Sequence, residues 1–260
     1  MYSAMAKFRR QMDEGVVCVG PNIGFTDAAV TEALGPSVDF VWLDLEHTPL
    51  VRDCLQQHLI AARATGTPAL VRVPQGEPGF IKPVLDMGAP GIIVPQLNSA
   101  EEARRAVSAC LYPPLGTRGY GPRRAANYGR EEGGDYPDRA NEKLFVVIQV
   151  ETAGALRELD EILSIPGVDS IVVGPYDLSG ALGRLGQLDH PEVTSAVETV
   201  VRRSREAGKY VGTGMGPDPD YAARMAKIGV QWIQCGNDCG YMIKFAEQLL
   251  AGVRQRLAGR

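Results

Sequence analysis

Short apolar runs rich in β-branched residues recur along the whole chain, and stretches with helical periodicity separate them. The runs are VVCV (16–19), FVWLDL (40–45), ALVRV (69–73), GIIVPQ (91–96), FVVIQV (145–150), SIVVGP (170–175), YVGTG (210–214) and WIQCG (232–236). They are continuous rather than alternating in hydrophobicity, as expected of parallel strands covered by helices on both sides. Helical spacing is clearest over Ala100–Leu111, Leu156–Leu163, Val193–Ala207 and Tyr221–Ile228. Ser99 with Glu102 forms a capping-box pattern, and Asp189-His190-Pro191-Glu192 supplies a capping acid and an early proline. Eight strand-helix units in 260 residues predict one (β/α)8 barrel spanning 1–260. The rival, a doubly wound open sheet, calls for a glycine-rich turn after the first strand, and Gly20-Pro21-Asn22-Ile23-Gly24 lacks that spacing.

The segment from about Tyr112 to Lys143 is too long for an ordinary connection. Its Tyr120, Tyr128, Tyr136 and several arginines predict an ordered lid or a subunit contact. The first fifteen residues read as an amphipathic helix, and no run of eighteen apolar residues occurs. A net charge of -4 without a polybasic block argues against nucleic acid and anionic membranes as partners. Cys18, Cys54, Cys110, Cys235 and Cys239 are odd in number and scattered, which fits neither a disulfide framework nor a zinc site. A cytoplasmic protein is expected.

In such a barrel the chemistry gathers where strands end at their C-termini. The second run closes on Asp44-Leu45-Glu46-His47, the third holds Arg72, and the fourth leads to Gln96. The fifth closes on Gln149-Val150-Glu151, and the sixth leads through Gly174-Pro175 to Asp177. Glu151 and Asp177 follow adjacent strands at corresponding positions, so their carboxylates can share a hard divalent ion; the alternative is that each caps the next helix. Arg72, between two valines, needs an anionic partner: a structural carboxylate, or a substrate oxygen that gains charge. His47, one of three histidines, suits acid/base work, whereas His58 and His190 read as helix packing and a helix start. The six lysines fall away from strand ends, which disfavours a Schiff-base mechanism.

From about Phe40 to Asp238 the chain resembles the HpcH/HpaI family of class II pyruvate aldolases. The marks are DLEHTP (44–49), LVRVP (70–74), VLDMGAPGIIVPQ (84–96), AEEARRAV (100–107), YPPLGTRGYG (112–121), QVET (149–152) and GPYDLSGALG (174–183). The resemblance implies a barrel of the phosphoenolpyruvate/pyruvate-binding type and reversible aldol cleavage of a 4-hydroxy-2-oxo acid to pyruvate and an aldehyde. It implies a divalent cofactor, Mg2+ or Mn2+ with Co2+ also usable, on Glu151 and Asp177 with Gln149 nearby. Arg72 then steadies the enolate oxygen, His47 and Asp86 form an acid/base dyad, and backbone around Gly174, Pro175 and Tyr176 holds the substrate carboxylate. It also implies a homo-oligomer, trimer or hexamer, with C-terminal helices exchanged between subunits.

Two positions depart from the family pattern. Tyr176 stands where sugar-acid aldolases carry alanine, and Thr213-Gly214-Met215 replaces a more apolar stretch, so the aldehyde is left open. Three other readings share the scaffold: an oxaloacetate decarboxylase of the macrophomate synthase kind, a CoA-thioester lyase, and a keto-acid-binding protein without catalysis.

Overall fold

A computed structural model describes residues 2–258; Met1, Gly259 and Arg260, which the expected 1–260 span includes, lie outside the described residues. The strands are β1 (Cys18–Ile23), β2 (Val41–Asp44), β3 (Ala69–Arg72), β4 (Gly91–Val94), β5 (Phe145–Val150), β6 (Ser170–Val173), β7 (Tyr210–Met215) and β8 (Trp232–Asn237). Helix α1 (Ser3–Asp13) precedes β1, and α2 (Ala29–Leu34), α3 (Arg52–Thr65) and α4 (Pro78–Asp86) follow β1, β2 and β3. Between β4 and β5 lie α5 (Ala100–Cys110) and α6 (Tyr136–Lys143); α7 (Ala153–Arg157) and α8 (Leu159–Leu163) follow β5. After β6 come α9 (Pro175–Ala181) and α10 (Pro191–Glu206), after β7 α11 (Pro219–Lys227), and after β8 α12 (Asp238–Ala258). Each strand pairs in parallel with the next, and β8 pairs with β1, so the sheet closes into a (β/α)8 barrel. That closure removes the doubly wound alternative.

Side-chain alternation along the strands sorts the barrel into two layers. Val41 and Leu43, Val71, Ile92, Ile148 and Ile171 face the helices and join the larger core. Trp42, Leu70, Ile93, Phe145, Val147, Val172 and Trp232 face inward, where Met5, Phe8 and Met12 of α1 meet them. Helix α1 thus closes the mouth at the strands' N-terminal ends with an apolar plug. Counting on by twos puts Asp44 after Trp42, Arg72 after Leu70, and Gln149 and Glu151 after Val147. The same parity that buries the plug aims these polar side chains into the opposite mouth.

Glycines on β7 leave room for the plug. A Cβ on Gly212 would lie 2.1 Å from the Trp232 ring, so only a bare Cα fits there. Ser99 caps α5, accepting from the Glu102 amide at 3.2 Å, while Glu102 reaches back to the Asn98 amide. At α10 the cap is His190, which accepts from the Glu192 amide; the expected Asp189 instead faces Arg224 at the surface.

The long connection after α5 is ordered, and its last turns form α6. Tyr112, Ala125, Ala126, Tyr136 and Ala140 make a small core of their own. Arg124 donates to the carbonyls of Met87 and Leu59, and Arg118 stacks on Tyr112. Because it joins the end of α5 to the start of β5, this segment packs at the plugged end. It does not form a lid over the polar mouth of its own barrel. Among the described residues no helix is long and apolar enough to cross a membrane.

Candidate active site

Strands β2 and β3 bring the first ion pair together by register, since Asp44 lies opposite Arg72. Arg72 donates from Nε to Asp44 Oδ1 at 2.9 Å and from Nη2 to Asp44 Oδ2 at 2.6 Å, a bidentate fork. Its remaining Nη1 stands 3.0 Å from Glu46 Oε2, and the guanidinium lies over the Trp42 ring. The expected anionic partner of Arg72 is therefore Asp44, with one end of the guanidinium left toward the mouth. Burial raises the Asp44 carboxyl, but the hydrogen bonds and charge of Arg72 outweigh it, and the net shift is downward.

Glu151 follows β5 and does not cap α7; Thr152 does, accepting from the Ala155 amide. The Glu151 carboxylate turns inward instead. It takes the Gln96 amide at 2.8 Å on Oε1 and the Gln149 side-chain amide on Oε2. Gln96 reaches it from a left-handed backbone, φ 58°, a conformation a non-glycine residue holds only when its surroundings fix it. Gln149 is then oriented without ambiguity, because its Nε2 donates to a carboxylate, and its Oε1 is left buried without a partner. Gly174 provides the space beside them: a Cβ there would stand 2.7 Å from Glu151 Oε2 and 3.0 Å from Gln149 Nε2. Pro175 opens α9 at once, which places Asp177 in that helix's first turn.

Glu46, Glu151 and Asp177 act on one another across the mouth. Burial and then the charges of Asp44 and Asp177, against the pull of Arg72, push Glu46 up to about 7. Burial, Glu46 and Asp177 push Glu151 up to about 7 against the pull of the Gln96 amide. Glu46 is the residue missed as a third acid by sequence reasoning. The signal for it was parity, since it continues the inward series of Trp42 and Asp44.

His47 is exposed at the rim, with Nε2 3.5 Å from Glu46 Oε2. Asp86 is not beside it. It ends α4, just before β4 begins, and pairs with Arg118 at 2.8 Å at the plugged end, so the expected His47–Asp86 dyad is not formed within one chain. His58 is buried and bonded to Thr31 Oγ1 at 2.7 Å, a packing residue as expected.

Next to the acids, along the ends of β7, β8 and β1, opens a cleft of about 610 Å3 whose lining includes Asn22, Asp44, His47, Tyr176, Gly214 and Gln234. Among the described residues no three His, Cys, Asp and Glu side chains are gathered at ligating distance. The residues fit a hard divalent cation. The donors are oxygens, Gln149 Oε1 lacks a partner, and burial, with like charge after it, raises two of the acids.

The sequence profile described as HpcH/HpaI aldolase/citrate lyase matches residues 23–244. The chain belongs to this family. HpcH/HpaI relatives include 2-dehydro-3,6-dideoxy-6-sulfogluconate aldolase of Pseudomonas putida, 36% identical over 233 residues, covering 89% of this chain and 90% of the relative. The 2-keto-3-deoxy-L-rhamnonate aldolase of Escherichia coli K12 is 36% identical over 247 residues, covering 94% and 91%. The crystal structure of an HpcH/HpaI aldolase/citrate lyase family protein from Burkholderia cenocepacia J2315 superimposes with a TM-score of 0.90 at 31% identity, covering 96% and 99%. The HpcH/HpaI relatives support an enzyme of the lyase class acting on small molecules.

The raised acids carry a consequence for stability. In metal-free protein Glu46 and Glu151 titrate near 7 against an ordinary 4.5, so the fold binds protons that the unfolded chain releases. Their contribution is fully present below 4.5 and is lost as pH rises through 7. We expect the melting temperature of EDTA-treated protein to fall by several degrees from about pH 5 to about pH 8. Saturating Mg2+ or Mn2+ should flatten the decline, because an ion bound only by the folded state offsets the repulsion. Melts that rise with pH over that range contradict this arrangement of acids.

Proposed function

We propose that the chain catalyses reversible, divalent-metal-dependent aldol cleavage of a 4-hydroxy-2-oxo acid to pyruvate, or a close 2-oxo acid, and an aldehyde. The observation that carries this reading is the carboxylate excess at one mouth, where Glu46, Glu151 and Asp177 meet beside a fixed Arg72. Glu151 and Asp177 hold the ion, Mg2+ or Mn2+ with Co2+ as a further candidate. When bound, such an ion supplies Lewis acidity at the keto oxygen of a chelating 2-oxo acid.

The chain's own groups do the rest. Arg72, held by Asp44 on Nε and Nη2 and by Glu46 at Nη1, keeps the second N–H of Nη1 for the oxygen that gains charge. Gln149 and the Gln96 amide fix the orientation of Glu151. The amides of Tyr176 and Asp177, at the start of α9 where Pro175 has none to offer, receive the substrate carboxylate in the space kept open by Gly174. His47 takes the proton from the 4-hydroxyl group. The bond between C3 and C4 then breaks, its electron pair goes to C3 and the keto oxygen as the enolate, and the aldehyde leaves. A proton returned to C3 gives the 2-oxo acid.

We further place the enzyme in the cytoplasm as a homo-oligomer, a trimer or hexamer with α12 exchanged between subunits. Support comes from cysteines that are all unpaired and from α12, whose Met242, Phe245, Leu249 and Leu257 are exposed to solvent.

The test is proton-deuterium exchange at the pyruvate methyl group in heavy water. We expect exchange with Mg2+ or Mn2+ and none in EDTA. Exchange that ignores EDTA removes the metal from the reading, and no exchange with any divalent ion removes pyruvate.

A further inference from the structure

Arg72 reaches the mouth as a flat group held along its edge. Asp44 takes Nε and Nη2 and Glu46 stands at Nη1, all through N–H bonds that lie in the guanidinium plane. Contacts of that kind fix the edge and leave the plane free to rock about it. The face is met by a different side chain. Trp42, one step back along the inward series of β2, holds the centre of its ring 5.1 Å from Arg72 Cζ.

The indole is itself immobilised. It is buried and reaches across the barrel from β2 toward β7, where a Cβ on Gly214 would stand 3.9 Å from its Cζ3. Trp232 packs beneath it with ring centroids 6.0 Å apart. Trp232 is anchored in turn, by Nε1 donating to Ser170 Oγ at 3.0 Å and by the rings of Phe8 and Phe40. A pile of rings thus runs from the α1 plug to the underside of Arg72.

The two indoles differ in one respect. Trp232 Nε1 has its partner, whereas Trp42 Nε1 is buried with none among the described residues. An unpaired buried donor is a cost that phenylalanine, leucine or methionine would not carry, so filling space does not account for an indole here. What an indole offers over those side chains is the strongest aromatic face for a cation. Resting on the aldolase reading above, we infer that Trp42 is a positioning residue that acts through Arg72. Its ring sets the tilt of the guanidinium, and with it the direction in which the second N–H of Nη1 meets the oxygen that gains charge.

The experiment follows methyl exchange of pyruvate by the metal-loaded protein in Trp42→Met, Trp42→Phe, Arg72→Lys and the two double variants, with an Mn2+ titration of each. We expect Trp42→Met to lose about tenfold in kcat of exchange, within the range that a desolvated cation–π contact converts to. The KM for pyruvate and the Mn2+ affinity stay parental, since Trp42 acts on charge that develops only during reaction. Trp42→Phe keeps a smaller and weaker face under the guanidinium and loses about threefold. In the Arg72→Lys background neither substitution lowers kcat further, because the group it acts through has gone. Parental kcat in Trp42→Met overturns the inference, and so does a loss of equal size in the parent and Arg72→Lys backgrounds, which marks a general disturbance of the barrel. Should Trp42→Met not fold, Trp42→Phe is read by the same two criteria. Exchange in the parent that no Trp42 substitution alters sinks the positioning role alone, and absence of exchange in the parent sinks the aldolase reading and this role with it.

Discussion

Glu151→Gln is expected to lose pyruvate exchange almost completely while its metal-free form becomes more stable at pH 8 than the parent. Outer-shell partners of a metal ligand typically contribute about 10–100-fold in affinity, so a ligand carboxylate accounts for at least the upper end of that range. The amide keeps the size of the side chain and can still accept the Gln96 N–H, while Gln149 must turn its Oε1 toward the new NH2 group. It also deletes a buried charge that Glu46 and Asp177 repel, which is why the metal-free melting temperature rises rather than falls. Calorimetric titration with Mn2+ and melts in EDTA read the two effects separately. Unchanged Mn2+ affinity in a folded variant would take Glu151 out of the proposed ligand pair.

Arg72 gives the second large effect, and two substitutions are needed to read it. Arg72→Ala leaves Asp44, only 2% exposed, without its bidentate partner, and breaking a buried pair in this way costs about 3–5 kcal/mol. That variant reports on the fold more than on the chemistry. Arg72→Lys keeps a positive charge near Asp44 and Glu46 but cannot fork onto one while presenting a donor to the mouth. We expect it to stay folded with a modest drop in melting temperature and to lose about 10²–10³-fold in kcat, the range for removing one preorganised donor from a developing oxyanion. A folded Arg72→Lys protein with parental kcat would reduce Arg72 to its salt bridge with Asp44.

The barrel was legible because its strands are continuous apolar runs, and each run marked a strand to within a few residues. Half of the polar mouth was legible for the same reason: Asp44, Arg72, Gln149 and Glu151 sit inside the runs or one residue past them, where parity decides which way they point. Residues beyond strand ends obey no such rule. Glu46 joins the acids because the chain after Asp44 stays inward, and Gln96 contributes its backbone from a left-handed turn that its neighbours hold in place. Asp86 was drawn to His47 by resemblance alone, and only the topology places it at the plugged end.

Closure of the sheet through β1 and β8 also bears on how the chain must be made. Cys18–Ile23 waits for Trp232–Asn237, and Trp232 in turn rests its ring on Phe8, Phe40 and Trp42 from the opposite end of the chain. At ~5–20 residues per second, a ribosome needs roughly 10–40 s to deliver the last strand after the first has emerged. For that interval the nascent polypeptide carries an unmatched strand and an apolar helix, α1, whose cavity has not yet been built. Such an intermediate has both a bare hydrogen-bonding edge and an unburied hydrophobic face, the two features that chaperones bind and that drive aggregation when synthesis outruns folding.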